Sequence, residues 1–239
     1  MAIVRIGHEK YGIHKMSAFV EDSILLGGFS DSLNSFADLL SITPLDIVWG
    51  YQFTIDKLLD SEIQSVVQRL SKLGLKYIFA GLETNDEDIA RGLSKSSIST
   101  QSWMSRNKEV INFLSGLNID YGVSLMFGLG ESQESRVRLM TTVREWKEKY
   151  KIPNVISMNL AVQHPLRKYA HYDYIEWGTT INSEYLEMFT SIFGEASEKY
   201  HLPHIKLPSM SDLNELRVQY ELFYNHQNDS NPFYDFYKS

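Results

Sequence analysis

The sequence predicts an α/β fold built on a parallel sheet, and three observations lead there. Five short apolar runs recur along the chain, longer stretches of helical period separate them, and 239 residues suffice for one sizeable, barrel-like core. The runs are KMSAFVED (15–22), LDIVWGYQF (45–53), KYIFAGLE (76–83), YGVSLMFGLG (121–130) and NVISMNLAVQ (154–163). Each has the length and apolar content of a strand buried on both faces.

The intervening segments are helical by pattern. In DSEIQSVVQRLSKLGL (60–75), Ile63, Val66, Val67 and Leu70 share one stripe and Gly74 stands at the end. In QSWMSRNKEVINFLSGLNI (101–119), Val110, Ile111 and Leu114 face inward and Gly116 is the expected terminator. The third, SQESRVRLMTTVREWKEKYKIP (132–153), ends before Pro153. Strands alternating with helices at this spacing imply βαβ units with right-handed crossovers.

Beyond residue 164 the pattern weakens. HPLRKYAHYDYIEWGTTINS is aromatic and irregular, which suits a long loop or lid. Helices are expected over 183–201, with Leu186, Phe189, Ile192 and Phe193 as its apolar face, and over 211–226. Residues 1–165 are therefore taken as the core, and 166–239 as a loop, lid and helical extension of the same domain.

Composition narrows the function classes. A net charge of -7 argues against broad nucleic-acid binding and against an anionic membrane surface. No run approaches a membrane span, and the N-terminus lacks a signal-peptide apolar core, so a cytoplasmic location is expected. The chain has no cysteine, which excludes disulfides, a cysteine nucleophile, thiolate zinc sites and a cluster held by its own thiolates.

In parallel α/β folds, ligands sit at the carboxyl ends of the strands. The residues there are Glu21 and Asp22, Gln52 and Thr54, Glu83, Thr84 and Asn85, Glu131 and Ser132, and Asn159, Gln163 and His164. This polar, acidic, amide-rich rim suits a ligand with hydroxyls, amines and amide-like edges better than one with several phosphates. Structural roles compete at each position. Asp22 and Asn85 make good caps or turn residues, Glu83 could simply pair with Lys95 or Arg91, and Glu131 or Ser132 can cap the next helix. Gly128 and Gly130 can serve a tight turn or a close approach to a ligand. The HLPH pair, His201 and His204, lacks helical context, and no metal site is expected. No nucleophile elbow, Walker or dinucleotide fingerprint is present.

Two stretches, KYIFAGLETNDEDIARGLSKSSIST and LNIDYGVSLMFGLGESQESRVRLMTTVREW, together resemble the later part of the radical S-adenosylmethionine (SAM) superfamily. There a strand ending in Gly-Leu-Glu-Ser-like residues and a following lysine lead to a strand closing on Gly-x-Pro-Gly-Glu-Thr. Gly81, Leu82 and Glu83 match the first element and Lys95 the lysine. Gly128, Gly130, Glu131 and Ser132 match the second, with Leu129 and no proline between the glycines. MSAFVEDSILL resembles the family's strand ending in acidic residues, and MNLAVQHPLR its last strand, whose backbone passes the adenine.

The resemblance implies a partial parallel (β/α) barrel with C-terminal helices and a SAM molecule across its open top. Residue by residue it implies SAM contacts from Glu83 and Asn85, from Gly128, Gly130 and Glu131, and from Asn159 and Gln163. The family's first strand and its C-x-x-x-C-x-x-C loop, which hold a [4Fe–4S] cluster, have no counterpart in these residues. A SAM-binding barrel completed by a partner chain that carries the cysteine loop is therefore expected, with a small-molecule or peptide substrate. Two alternatives stand beside it: a pseudoenzyme that binds SAM or a partner without redox chemistry, and a cluster-free acid–base enzyme with Glu83 and Glu131 as its carboxylate pair. No catalytic residue is assigned.

Overall fold

The computed structural model describes residues 6, 9–12, 16–20, 29–42, 47–93, 101–160 and 208–224. Five strands, β1 (Met16–Val20), β2 (Ile47–Gln52), β3 (Leu75–Glu83), β4 (Asp120–Phe127) and β5 (Val155–Leu160), form one sheet in the order β1-β2-β3-β4-β5. Strand order follows chain order, and the strands run parallel, as in-line crossovers through helices require. The fold class is the one expected, an α/β partial (β/α) barrel. All five strands fall within the runs picked out by pattern, to within a residue at each end. Gln163, Lys95, Glu21, Asp22, every histidine and the expected helix 183–201 lie outside the described residues.

The chain divides into two compact units, Met1–Gly81 with Arg106–Gly122, and Leu82–Ser105 with Val123–Ser239. In the first, α1 (Ser30–Ile42), α2 (Ile55–Leu59) and α3 (Ser61–Ser71) join β1, β2 and most of β3. The Asp60 carboxylate starts α3 by accepting the N–H groups of Glu62 and Ile63, and the expected stripe Ile63, Val66, Val67 and Leu70 is buried. Trp49 of β2 ties that helix's exit to the sheet: its indole N–H donates to the Leu73 carbonyl and its backbone N–H to Gly74 O, at 3.1 and 2.9 Å. Phe36 of α1 meets the Trp49 ring edge-on. Arg106, nearly buried, pairs with Asp56 at the start of α2, and burial lowers its pKa.

Two expectations are corrected in this unit. β1 is not buried on both faces: Ser17, Ala18 and Phe19 are exposed, because β1 ends the sheet order and pairs only with β2 among the described residues. Gly116 is not a left-handed helix stop. The helix α5 (Trp103–Ser115) closes through short bonds from Gly116 N–H to Phe113 O and from Leu117 N–H to Leu114 O, and Asn118 takes the positive φ, 51°.

In the second unit, α4 (Glu87–Gly92) is capped by Asp86, and α6 (Gln133–Tyr150) by Ser132, whose hydroxyl accepts the Ser135 N–H. The final described helix, α7 (Met210–Tyr224), matches the expected 211–226 segment. It buries Leu213, Leu216 and Phe223, and α6 is its packing partner. No described helix is long and apolar enough to cross a membrane.

Gly74 has φ +98°, and a Cβ there would lie 2.6 Å from the Ile47 carbonyl oxygen. Gly74→Ala is therefore expected to lower the unfolding free energy by about 1–3 kcal/mol. Gly116→Ala, which meets nothing nearer than 3.6 Å, should stay within about 0.5 kcal/mol of wild type, both read from urea midpoints. A second expectation concerns the Tyr77 hydroxyl, which occupies the space a Cβ on Gly122 would need. Burial raises the pKa of Tyr77, with the Asp120 charge adding to it, and burial likewise raises that of Tyr121. The unfolded chain loses these protons near pH 10 and the folded chain keeps them, so stability should be intact below about pH 10 and fall above it. Urea unfolding between pH 8 and 11 checks this, and Tyr77→Phe should flatten the decline.

Candidate functional site

The site lies at the carboxyl ends of β3, β4 and β5, within the second unit. β3 ends in an abrupt reversal. Glu83 is a non-glycine residue with φ 64°, and the Thr84 N–H donates to the Leu82 carbonyl at 2.8 Å across it. That is a γ-turn of the left-handed kind, which is rare because it crowds Cβ against the backbone. Its cost is of order 1–3 kcal/mol and must be met by the surroundings. Trp103 supplies part of that support: 1% exposed, it donates its indole N–H to the same Leu82 carbonyl at 2.9 Å, and its backbone N–H to Glu87 Oε2 at 2.8 Å.

The reversal turns the Glu83 carboxylate toward β4. The Ser124 hydroxyl donates to Glu83 Oε2 at 3.1 Å, and Asn159 Nδ2 donates to Ser124 Oγ at 2.8 Å. The same amide nitrogen also contacts the carbonyls of Leu125 and Ser157, at 3.1 and 3.2 Å. A carboxylate, a hydroxyl and an amide thus form a continuous row across three adjacent strands. Glu83 and Asn159 are buried, at 8% and 6% exposure, and Ser124 is half-buried. Buried polar groups are retained where their bonds are satisfied, and the row meets that condition.

The 128–131 turn is organised separately. Gly128 and Gly130 adopt φ 93° and 102°, which only glycine takes without strain. Glu131 folds back over them: its Oε1 accepts the Gly128 N–H and its Oε2 the Leu129 N–H, each at 2.7 Å. Arg136 Nε donates to Glu131 Oε1 at 2.5 Å, and both side chains are about 95% buried. Glu131 thus staples the turn and anchors a buried ion pair, while Ser132 takes the capping role.

Asn85 holds neither cap nor turn. It exchanges two hydrogen bonds with Ser135, its Nδ2 donating to the Ser135 carbonyl and its Oδ1 accepting the Ser135 hydroxyl, which ties the loop after β3 to the first turn of α6. Thr54 is an N-cap of α2, and Gln52 is exposed. The structure therefore brings Glu83 and Asn159 into one network and places Glu131, Gly128 and Gly130 in another. Ser124 and Trp103 escaped the sequence reading. Ser124 left a signal, a small polar residue alternating with Gly122 and Met126 in an apolar strand; Trp103 left none, being one aromatic among thirty.

Removing the Glu131 charge leaves Arg136 buried beside an amide. Glu131→Gln is expected to cost about 3 kcal/mol in urea unfolding, far more than the exposed Glu134→Gln, which should be near neutral. Equal effects of the two would show that the buried pair contributes nothing particular.

No family model matches the chain, and no curated protein matches it. Among solved structures it is similar to the radical S-adenosylmethionine methyltransferase TsrM from Kitasatospora setae. One form has cobalamin and a [4Fe–4S] cluster bound (13% identity, TM-score 0.44, 66% of this chain and 28% of that one). Another has tryptophan substrate and the SAM analogue aza-SAM bound (12% identity, TM-score 0.44, 67% and 29%). It is also similar to SuiB from Streptococcus suis (11% identity, TM-score 0.44, 98% of this chain and 47% of that one). The chain spans less than half the length of each of these proteins. Radical SAM enzymes are among the solved structures the chain is similar to.

Proposed function

We propose that this chain is the SAM-binding portion of a radical-SAM-like enzyme, with the cluster ligands supplied by another polypeptide. The observation that carries the reading is the row Glu83, Ser124 and Asn159 at the carboxyl ends of three adjacent parallel strands. A carboxylate accepts hydrogen bonds from a ribose diol, and the Asn159 amide, whose nitrogen is taken up by Ser124 and two backbone carbonyls, fixes the row behind it. Glu83 is held in a strained backbone conformation by Trp103, as expected where a side chain must be aimed rather than merely accommodated.

The residues fit the nucleoside and do not fit the cluster. A [4Fe–4S] cluster requires soft thiolate ligands, and none of the 239 residues is a cysteine. Among the described residues no three His, Asp or Glu side chains gather to replace them. No radical step is therefore assigned to this polypeptide. Its own part is to bind and orient: Glu83 holds the nucleoside, Asn159 fixes Ser124 beside it, and the 128–131 turn forms the neighbouring wall. Asn85 acts through Ser135 by fixing the loop after β3. A cytoplasmic location is part of this proposal.

The acid–base alternative needs Glu131 to be available for proton transfer. Its carboxylate is committed to two backbone N–H groups and to Arg136, which speaks against that reading. The binding-only alternative uses the same residues and differs only in whether iron ever joins them.

Calorimetry with the purified chain tests the proposal. SAM should bind, and Glu83→Gln or Asn159→Ala should each weaken binding about tenfold or more while leaving the urea midpoint within reach of wild type. Absence of SAM binding by the wild-type chain would sink the proposal. Anaerobic co-purification followed by iron reconstitution then separates a split enzyme, in which iron and a second chain appear together, from a binding protein that never takes up iron.

A further inference from the structure

The chain Asp212, Arg136 and Glu131 links the last described helix to the glycine turn. Arg136 Nη1 reaches Asp212 Oδ2 at 3.5 Å while its Nε holds Glu131, whose two oxygens hold the N–H groups of Gly128 and Leu129. Asp212 is itself fixed at the start of α7 by a reciprocal pair: its Oδ2 accepts the Ser209 N–H, and its own N–H donates to Ser209 Oγ. Gln133 adds a second tie, donating from Nε2 to the Asp212 carbonyl and to Glu215 Oε2.

The far end of α7 is fastened differently. Lys147 Nζ donates to the Phe223 carbonyl at 2.9 Å and lies 4.4 Å from the centre of the Phe223 ring. The Tyr224 hydroxyl accepts the Ile156 N–H and donates to the Ile156 carbonyl, covering a backbone position on β5, the last strand of the sheet order. The helix is thus seated on α6 and β5 by polar contacts at both ends and by three buried apolar side chains between them.

We infer that α7 is a clamp on the 128–131 turn, so that the seating of this helix sets whether the Gly128 and Leu129 N–H groups stay sequestered by Glu131. The attraction within the ion pair that sequesters them depends on the pair staying dry; charges exposed to water attract one another several-fold less. Loosening α7 removes Asp212 from Arg136 and admits water to the pair. The Glu131 carboxylate then exchanges its bonds with solvent, and the two N–H groups become open to hydration or to an anionic ligand group. The consequence for ligand binding rests on the SAM-binding reading, whereas the coupling itself does not.

Amide hydrogen exchange in the ligand-free chain tests the coupling without SAM, so its failure is distinct from failure of the SAM-binding reading. Asp212→Asn breaks the near tie, and Lys147→Met breaks the far tie while keeping an apolar stem against Phe223. Both variants should raise exchange in 213–224, and both should raise it about fivefold to tenfold at Gly128 and Leu129, with Val123 and Leu125 of β4 unchanged. Faster exchange in the helix with no change at Gly128 and Leu129 overturns the inference. So does exchange unchanged in both places, because the ties would then not govern seating. A rise that spreads equally through β4 would indicate general loosening and also count against it.

Discussion

Leu82, one residue before the end of β3, presents a carbonyl that accepts two N–H groups at once, from the Thr84 backbone and from the Trp103 indole. That shared acceptor is what allows Glu83 to sit at φ 64° in a buried place. A left-handed glutamate would relax into extended or helical backbone if nothing opposed it. The indole, immobilised by its burial and by the Glu87 contact, makes relaxation costly because it would strand two donors in the interior. From this constraint the row through Ser124 to Asn159 follows: the carboxylate arrives at the face of β4 because the turn sends it there.

The second constraint, the dry pair of Glu131 and Arg136, works by a different principle. It satisfies a backbone that two left-handed glycines have already bent, and it converts loose turn N–H groups into bonded ones. Buried pairs contribute little net stability, since desolvation offsets most of their attraction, but they are intolerant of rearrangement. Geometry is what such a pair confers. Here it joins the glycine turn, the first turns of α6 and the start of α7 in one hydrogen-bonded set, so that the C-terminal helix and the turn share their boundary conditions.

The two arrangements divide the labour that the sequence had assigned to one wall. Glu83 and Asn159 keep oxygen and amide groups at the strand ends, joined in one hydrogen-bonded row through Ser124. Glu131 turns inward, so the glycine turn contributes shape and not a free carboxylate. Asn85, equally polar and only two residues beyond Glu83, serves the framework by locking the Ser135 backbone and hydroxyl.

Apolar periodicity alone determined the five strands, the stripe of α3 and the extents of α5 and α6, because burying a stripe of Ile63, Val66, Val67 and Leu70 is a local property of spacing. The strand-end rule also picked out Glu83 and Asn159 before any contact was known. What spacing cannot express is partnership across long separations. Ser124 meets Glu83 over 41 residues, Asp212 meets Arg136 over 76, and Trp103 meets Leu82 over 21. The exposure of β1 likewise depends on its place at the end of the sheet, not on the letters MSAFV. Residue type and order set which groups could act, and only the tertiary fold decided which of them join the row at the strand ends and which are spent on holding the backbone, since that choice depends on neighbours the local sequence does not contain.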